Sequence, residues 1–408
     1  MHSLEAPQLF AMLAVMLAGA KVMGAIAQKF GQPAVLGELI SGLILGRSGL
    51  ALVDMHHETM EMLMELGVFV LLLAIGLETE LPKFFKAGKT STVVAVAGVV
   101  LPFVLGYGAC RLLGMVDIAS IMAGATLTAT SVGITARVLS DLGKLGSEEG
   151  QIILGAAVID DVLGLVILTV VKGMAGGASP TLGSVAWTTA VAFGFLIVVI
   201  LAGKLLMPWL LRAAGLIEMP GTPTILALIL ALALAWAADR AGSALILGAF
   251  AAGLLLNAVP RAHEIEHGVT VLGHFFVPIF FVGVGASVDL HYLDPRLADG
   301  RWALLIGGVL IFVGIFGKLF AGYAPYWFKG RKSIIGVGMI PRGEVGLIFG
   351  QMGMTAGIFD ESLFAGVTLM VLVTTFLAPP LLKRLVGSHR GGELPDSADG
   401  IEDLVMEA

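Results

Sequence analysis

Residues 151–171 read QIILGAAVIDDVLGLVILTVV, an apolar run with two adjacent charges, Asp160 and Asp161, at its centre. A run of this length is enough to cross a bilayer as a helix. One carboxylate at the bilayer centre costs about 2.5–3.5 kcal/mol on insertion scales, and a neighbouring one adds its own cost and repels the first. A chain keeps such a pair when something offsets the cost, and a bound cation or an exchangeable proton is the usual answer.

The rest of the chain has the same character. Of 408 residues, 57% are hydrophobic and only 13% charged, against about 25% charge in a soluble domain. This is the composition of an all-α polytopic membrane protein. The single cysteine, Cys110, excludes an internal disulfide and a cysteine-rich metal site. No basic stripe points to nucleic acid, and membrane lipid is the expected surrounding. The first apolar run, Leu9 to Ala27, follows a segment with no Lys or Arg, which reads as a first span rather than a signal peptide.

Hydropathy gives about thirteen spans. They cover residues 8–28, 33–52, 58–77, 88–112, 118–142, 147–173, 183–213, 221–239, 243–257, 263–286, 301–327, 331–356 and 360–387. The basic residues support this number. With the N-terminus outside, sixteen of the 24 Lys and Arg fall in inside loops and ends, among them Lys83, Lys86, Lys89, Arg137, Lys144, Lys329, Arg331 and Lys332. Six fall outside: Arg47, Arg111, Lys172, Arg240, Arg296 and Arg301. That bias obeys the positive-inside rule and puts the C-terminus in the cytoplasm. Lys318 and Arg342 remain, and both lie within spans.

An internal repeat divides the spans. Residues 36–45, LGELISGLIL, recur as 247–256, LGAFAAGLLL, at an offset of 211. Residues 76–81, GLETEL, resemble 285–290, GASVDL, at an offset of 209. Two matches at nearly one offset describe a six-helix unit used twice. An odd helix between the copies makes the second copy inverted, an arrangement typical of secondary transporters. The expected organisation is a first repeat over 1–173, a linker helix within 174–216, an inverted second repeat over 217–387 and a disordered tail over 388–408.

The offset also pairs two weak helices. The fifth span holds GATLTATSVG at 124–133, rich in hydroxyls that compete for backbone hydrogen bonds. Its counterpart in the twelfth span is GVGMIPRGE at 336–344, where Pro341 lacks an N–H and clashes with the preceding turn. Both spans are expected to break there. Paired interruptions in corresponding helices mark a substrate site, since unwound backbone at membrane depth is tolerated only where it lines a cavity.

Five ionisable groups are placed at membrane depth: Asp160, Asp161, Lys318, Arg342 and Glu344. Glu78 stands near a helix end. Burial favours the neutral form of a carboxylate and a lysine partner favours the charged form, so the aspartates can be poised for exchange. Adjacent residues on a helix point about 100° apart. One aspartate can then face a water-filled cavity while the other meets Lys318. Arg342 and Glu344 are not on one helix face, and their expected partners are the charged ends of the broken helices. Carboxylate, hydroxyl and carbonyl oxygens suit a hard cation and not zinc or copper. His263-Glu264-Ile265-Glu266-His267 fits the H-E-x-x-H zinc pattern. Its place at the charged start of a span, with no clear third ligand, favours a solvated helix end, where the histidines can tune a response to pH.

Three stretches carry a likeness to a known family: ATSVGITARVL at 129–139, ILGAAVIDDVLG at 153–164 and PRGEVGL at 341–347. They resemble the second cation:proton antiporter family, in particular its NapA-type bacterial sodium/proton antiporters, over about residues 8 to 387. The resemblance implies an NhaA/NapA-like fold and a homodimer. It implies a rigid dimer domain of spans 1–3 and 8–10 and a mobile core of spans 4–6 and 11–13 that carries the ion like an elevator. It implies Asp161 as the main sodium and proton ligand, with Asp160 as a further sodium ligand that pairs with Lys318. It implies Thr130 and Ser131 at the break of the fifth span, and Glu344 balancing the crossing helices. Two aspartates with a lysine imply electrogenic exchange of two protons per sodium ion. The family includes potassium/proton exchangers and glutathione-gated potassium efflux systems. The short tail and Asp160, in place of a glutamine, count against the latter.

The expected protein is therefore a sodium (or lithium)/proton antiporter of the bacterial inner membrane, serving pH and sodium homeostasis. It is not an enzyme and needs no cofactor; its substrates are Na+ (or Li+ or K+) and H+. Potassium/proton exchange, an ion channel and an intramembrane protease using His263 and His267 are the alternatives.

Overall fold

The computed structural model describes residues 6–387, apart from 56, 80, 242–244, 258, 260, 261, 288–295, 297 and most of 176–220. The linker helix expected within 174–216, the end of the second repeat match at 288–290 and the acidic tail thus lie wholly or largely outside the described residues. Every regular element among them is an α-helix. The helices are α1 (Ala6–Lys29), α2 (Ala34–Leu45), α3 (Glu58–Glu78), α4 (Leu81–Leu112), α5 (Asp117–Thr126), α6 (Val132–Asp141) and α7 (Glu148–Ala175). Further along the chain come α8 (Thr222–Arg240), α9 (Leu245–Asn257), α10 (Ala262–Ala286), α11 (Ala298–Tyr323), α12 (Lys332–Gly338), α13 (Glu344–Thr355) and α14 (Glu361–Gly387). Seven described helices are long and apolar enough to cross a membrane.

Two expected spans, 118–142 and 331–356, are each split into a pair of helices, α5 with α6 and α12 with α13. The expected span 33–52 is too long. Its helix α2 stops after 12 residues, where Gly46 turns extended and the chain folds back so that Leu52 and Val53 donate to the Leu45 carbonyl. Twelve residues rise about 18 Å, well short of a hydrocarbon core of about 30 Å.

The helices pack in two groups. In one, α3 lies against α9 and α10, α2 against α1 and α10, and α8 against α9. In the other, α4 packs on α7 and α11, α11 on α14, and the short helices α5, α6, α12 and α13 fill the space between. The groups meet where α6 touches α2 and α3, and where α14 touches α2.

Glycines set the closest approaches in the first group. A Cβ on Gly42 of α2 would stand 2.0 Å from the Val282 carbonyl oxygen of α10, and one on Gly285 of α10 would stand 2.1 Å from the Leu39 oxygen of α2. The same contact is made by Gly253 of α9, 2.4 Å from the Leu73 oxygen of α3, and by Gly76 of α3, 2.4 Å from the Phe250 oxygen of α9. Gly37 meets the Met23 oxygen of α1 at 2.1 Å, as Gly248 meets the Leu234 oxygen of α8 at 2.3 Å. These are the glycines aligned in the two sequence matches.

Backbone oxygens cannot rotate away as side chains do, so Gly42→Val or Gly253→Val forces helices apart. Each substitution is expected to cost at least the 1–3 kcal/mol typical of overpacking. A melting scan of detergent-purified protein checks this. Gly108→Ala, whose Cβ meets nothing within 4 Å, is the neutral control.

Candidate ion-binding site

The two helix breaks have local causes. Thr126 and Thr128 bend their hydroxyls back onto the carbonyls of Ala123 and Ala125, at 2.7 and 2.8 Å, and α5 ends between them. Side-chain bonds of this kind compete with the helical ladder. In the other span α12 ends at Gly338, and Pro341 prevents resumption until Glu344 opens α13. The interruptions, 127–131 and 339–343, fall inside the stretches singled out by sequence.

The breaks cross and are bonded to each other. The Ser131 amide donates to the Pro341 carbonyl at 2.9 Å. The Thr130 hydroxyl reaches the Met339 carbonyl at 3.4 Å, and Thr135 donates to the Gly338 carbonyl at 2.6 Å. Gly343 is needed here, because a Cβ would come within 2.7 Å of Ser131 Oγ. Thr130 and Ser131 are both buried in the crossing.

Two buried cations answer the carbonyls freed at the end of α5. Lys318 Nζ of α11 donates to the Thr128 carbonyl at 2.7 Å, and Arg342 Nη1 donates to the Ala129 carbonyl at 2.8 Å. Both side chains are fully buried. The carbonyl end of a helix carries partial negative charge, so a cation there is stabilising. Lys318 also meets Asp160 Oδ2 of α7 at 3.2 Å, in an ion pair with no solvent exposure. Gly98 of α4 makes room for the ammonium group, since a Cβ would stand 3.3 Å from it. Thr375 of α14 donates to the Arg342 carbonyl and anchors the second break from outside.

Asp161 occupies a different environment. Asp160 is 1% exposed, whereas Asp161 is only partly buried. It lines a pocket with Val158 of α7, Val132 of α6, Leu72 and Ile75 of α3, and Leu247 and Phe250 of α9. The pocket lies on the seam between the two helix groups. Neighbouring carboxylates on one helix thus point to different places, one to Lys318 and one to a cavity. Among the described residues, Asp160 Oδ1 has no hydrogen-bond partner, and neither do Arg342 Nε and Nη2.

Arg342 finds a partner in the other break, at the Ala129 carbonyl. The Glu344 side chain lies outside the described residues. His263 is fully exposed and stands 3.5 Å from Glu266, and no three His, Cys, Asp or Glu among the described residues form a metal-holding group. The zinc pattern is a charged helix start. Sequence reasoning missed Glu38, which is 4% exposed in α2, because the span drawn as 33–52 placed it away from the other charges. Its apolar neighbours, LGELISGL, were the available signal.

Residues 13–387 match the model of a family described as sodium/hydrogen exchanger, transmembrane. The chain is 36% identical to the high-affinity Na(+)/H(+) antiporter NhaS3 of Synechocystis, an alignment covering 94% of this chain and 91% of that one. It is 32% identical to the Na(+)/H(+)-K(+) antiporter GerN of Bacillus cereus, over 93% and 97% of the two chains. Its fold resembles that of the sodium proton antiporter MjNhaP1 from Methanocaldococcus jannaschii, with a TM-score of 0.72 at 17% identity over 96% of this chain and 100% of that one.

Proposed function

The chain belongs to the sodium/hydrogen exchanger family, a family of multi-pass membrane transporters, and from that premise we propose that it exchanges sodium or lithium for protons across the bacterial inner membrane. The observation that carries this is the division of labour at Asp160 and Asp161, beside two crossing broken helices. Asp161, facing the pocket, takes the cation or a proton, with Asp160 and the oxygens of Thr130 and Ser131 completing an oxygen-rich site for a hard ion. Lys318 holds Asp160 when the cation is absent and releases it when the cation arrives. Arg342 and Glu344 balance the ends of the broken helices. Two protons leave for each sodium ion, one from Asp161 and one from the Lys318 ammonium as it lets go of Asp160, so the exchange is electrogenic.

The proposed architecture is about thirteen spans in two inverted six-helix repeats, 1–173 and 217–387, joined by a linker helix. It is supported by the paired glycine contacts, in which Gly42 on Gly285 corresponds to Gly253 on Gly76. The group containing α1–α3 and α8–α10 is the fixed, dimer-forming part. The group containing α4–α7 and α11–α14 carries the ion past it as an elevator, with the pocket on the seam opening alternately to each side. The N-terminus lies outside and the C-terminus in the cytoplasm.

A second reading, potassium/proton exchange, is favoured by the likeness to a relative whose name includes potassium. Initial exchange rates in proteoliposomes against sodium, lithium and potassium, at clamped potential, separate the two. Sodium and lithium are expected to drive proton movement, potassium not, and an inside-negative potential to change the rate. Equal rates with potassium overturn the sodium assignment, and rates indifferent to potential overturn electrogenic exchange.

A further inference from the structure

The end of α11 carries a basic and aromatic cluster that the exchange site does not use. Residues 326–332, YWFKGRK, follow α11 and open α12. The Tyr326 and Trp327 rings meet edge-on, with centroids 5.0 Å apart. Lys89 of α4 places its Nζ 4.9 Å from the centre of the Trp327 ring, and Trp327 Nε1 donates to Thr90 Oγ1 at 3.3 Å. Lys332 Nζ donates to the Tyr326 carbonyl at 3.2 Å. Two ammonium groups are thereby held against one aromatic pair. Among the described residues neither is paired with a carboxylate, since one lies over a ring and the other on a carbonyl. Lys86, one turn before Lys89, and Lys329, in the same segment as the rings, are exposed. Glu149 of α7 accepts from the Arg331 amide at 2.9 Å and ties the segment to the helix that bears Asp160 and Asp161.

An apolar strip leads to this cluster along α11. Phe312, Phe316, Phe320 and Tyr323 lie one turn apart on one face, each between 44 and 68% exposed. The three Phe rings pack in series, with centroids 5.8 and 4.3 Å apart. From Phe312 to Tyr323 a helix rises about 16 Å, close to one leaflet of a hydrocarbon core of about 30 Å. Aromatic rings beside Lys and Arg at the end of a span mark the headgroup level. We infer that Lys89 and Lys332 bind the phosphate of an anionic phospholipid of the surrounding bilayer, whose acyl chain lies along the strip from Phe320 to Phe312. A soluble phosphate matches the ammonium groups equally well but leaves the strip uncovered. Basic groups between helix ends on the cytoplasmic side attract such headgroups, each cation adding to the attraction. The lipid joins α4 to the segment that follows α11, the helix of Lys318, and so stabilises the group of helices that holds the exchange site. It stands apart from the exchange reading and does not depend on which cation is exchanged.

A melting titration of the full chain in detergent tests this. Phosphatidylglycerol is expected to raise the melting temperature saturably, by about 5 °C at a roughly hundredfold excess over its dissociation constant. Phosphatidylcholine with the same acyl chains, and soluble glycerol phosphate, are expected to raise it far less. In Lys89→Gln/Lys332→Gln the half-saturating concentration of phosphatidylglycerol is expected to increase about thirtyfold, the effect of two cations near a headgroup. Lys29→Gln/Arg384→Gln removes the same charge from two other exposed helix ends and is expected to titrate as the parent does. An equal rise with phosphatidylcholine, or Lys89→Gln/Lys332→Gln titrating as the parent, overturns the site. A rise that glycerol phosphate reproduces assigns the cluster to free phosphate and overturns the lipid. An equal weakening in Lys29→Gln/Arg384→Gln leaves net charge as the cause and overturns the site as well. Should Lys89→Gln/Lys332→Gln not fold, Phe312→Ala/Phe316→Ala takes its place, with weaker phosphatidylglycerol binding expected and an unchanged half-saturation counting against the site.

Discussion

Asp161→Asn is expected to reduce sodium-driven proton movement in proteoliposomes to the leak of protein-free vesicles, at every pH and sodium concentration. The substitution keeps shape and hydrogen-bonding capacity but removes both the negative charge and the exchangeable proton. Asp160 cannot take over, because its Oδ2 is held by Lys318 and it has 1% of its surface exposed. Folding is expected to be unaffected, since Asp161 is partly exposed on the pocket and an amide there is cheaper to desolvate than a carboxylate. The size-exclusion profile and melting temperature should therefore match the parent. Exchange persisting at half the parent rate or more would move the ion to another carboxylate, and Asp160 would be the first to try.

The features of this site legible in the sequence are those that violate the chemistry of a membrane span. Asp160, Asp161 and Lys318 stand out because each is a charge in an apolar run, and the expense of putting it there is readable without coordinates. The breaks in the two crossing spans were legible for a similar reason: hydroxyls at 126–131 and a proline at 341 weaken a helix wherever it lies. Their pairing came from the repeat offset.

Other contacts gave no such signal. The carbonyls of Thr128 and Ala129, which receive Lys318 and Arg342, are backbone groups that every residue has. Only the path of the chain through the break turns them toward the cations. Thr375 is one of many threonines until α14 places it against the Arg342 carbonyl. Glu38 was readable in principle, and was lost because α2 is a short helix followed by a folded-back loop, which hydropathy merged into one longer span. The two helix groups are likewise a matter of packing, written in which glycines meet which carbonyls rather than in composition.

Lys318→Ala is expected to be the most destabilising single change at the site, by about 3–5 kcal/mol, the usual cost of breaking a buried ion pair from one side. It strands the Asp160 carboxylate in a place with no solvent and also leaves the Thr128 carbonyl without its donor. The double variant Asp160→Asn/Lys318→Gln tests whether that cost is the pair's net worth or the penalty for leaving one charge alone. Two neutral amide side chains carry little desolvation penalty and can bond to each other, so the double variant is expected to melt close to the parent and above Lys318→Ala. Losses that simply add would mean the two residues act independently, contrary to their 3.2 Å contact. Transport separates the variants further. With the pair neutralised, Asp161 still exchanges a cation for a proton, but no second charge is released when the cation binds. Exchange should then continue at a lower rate and lose its response to a clamped potential. If the double variant stays as voltage-sensitive as the parent, the charge that crosses the membrane is not set by Asp160 and Lys318. The pair would then be structural, holding α7 and α11 against the broken end of α5.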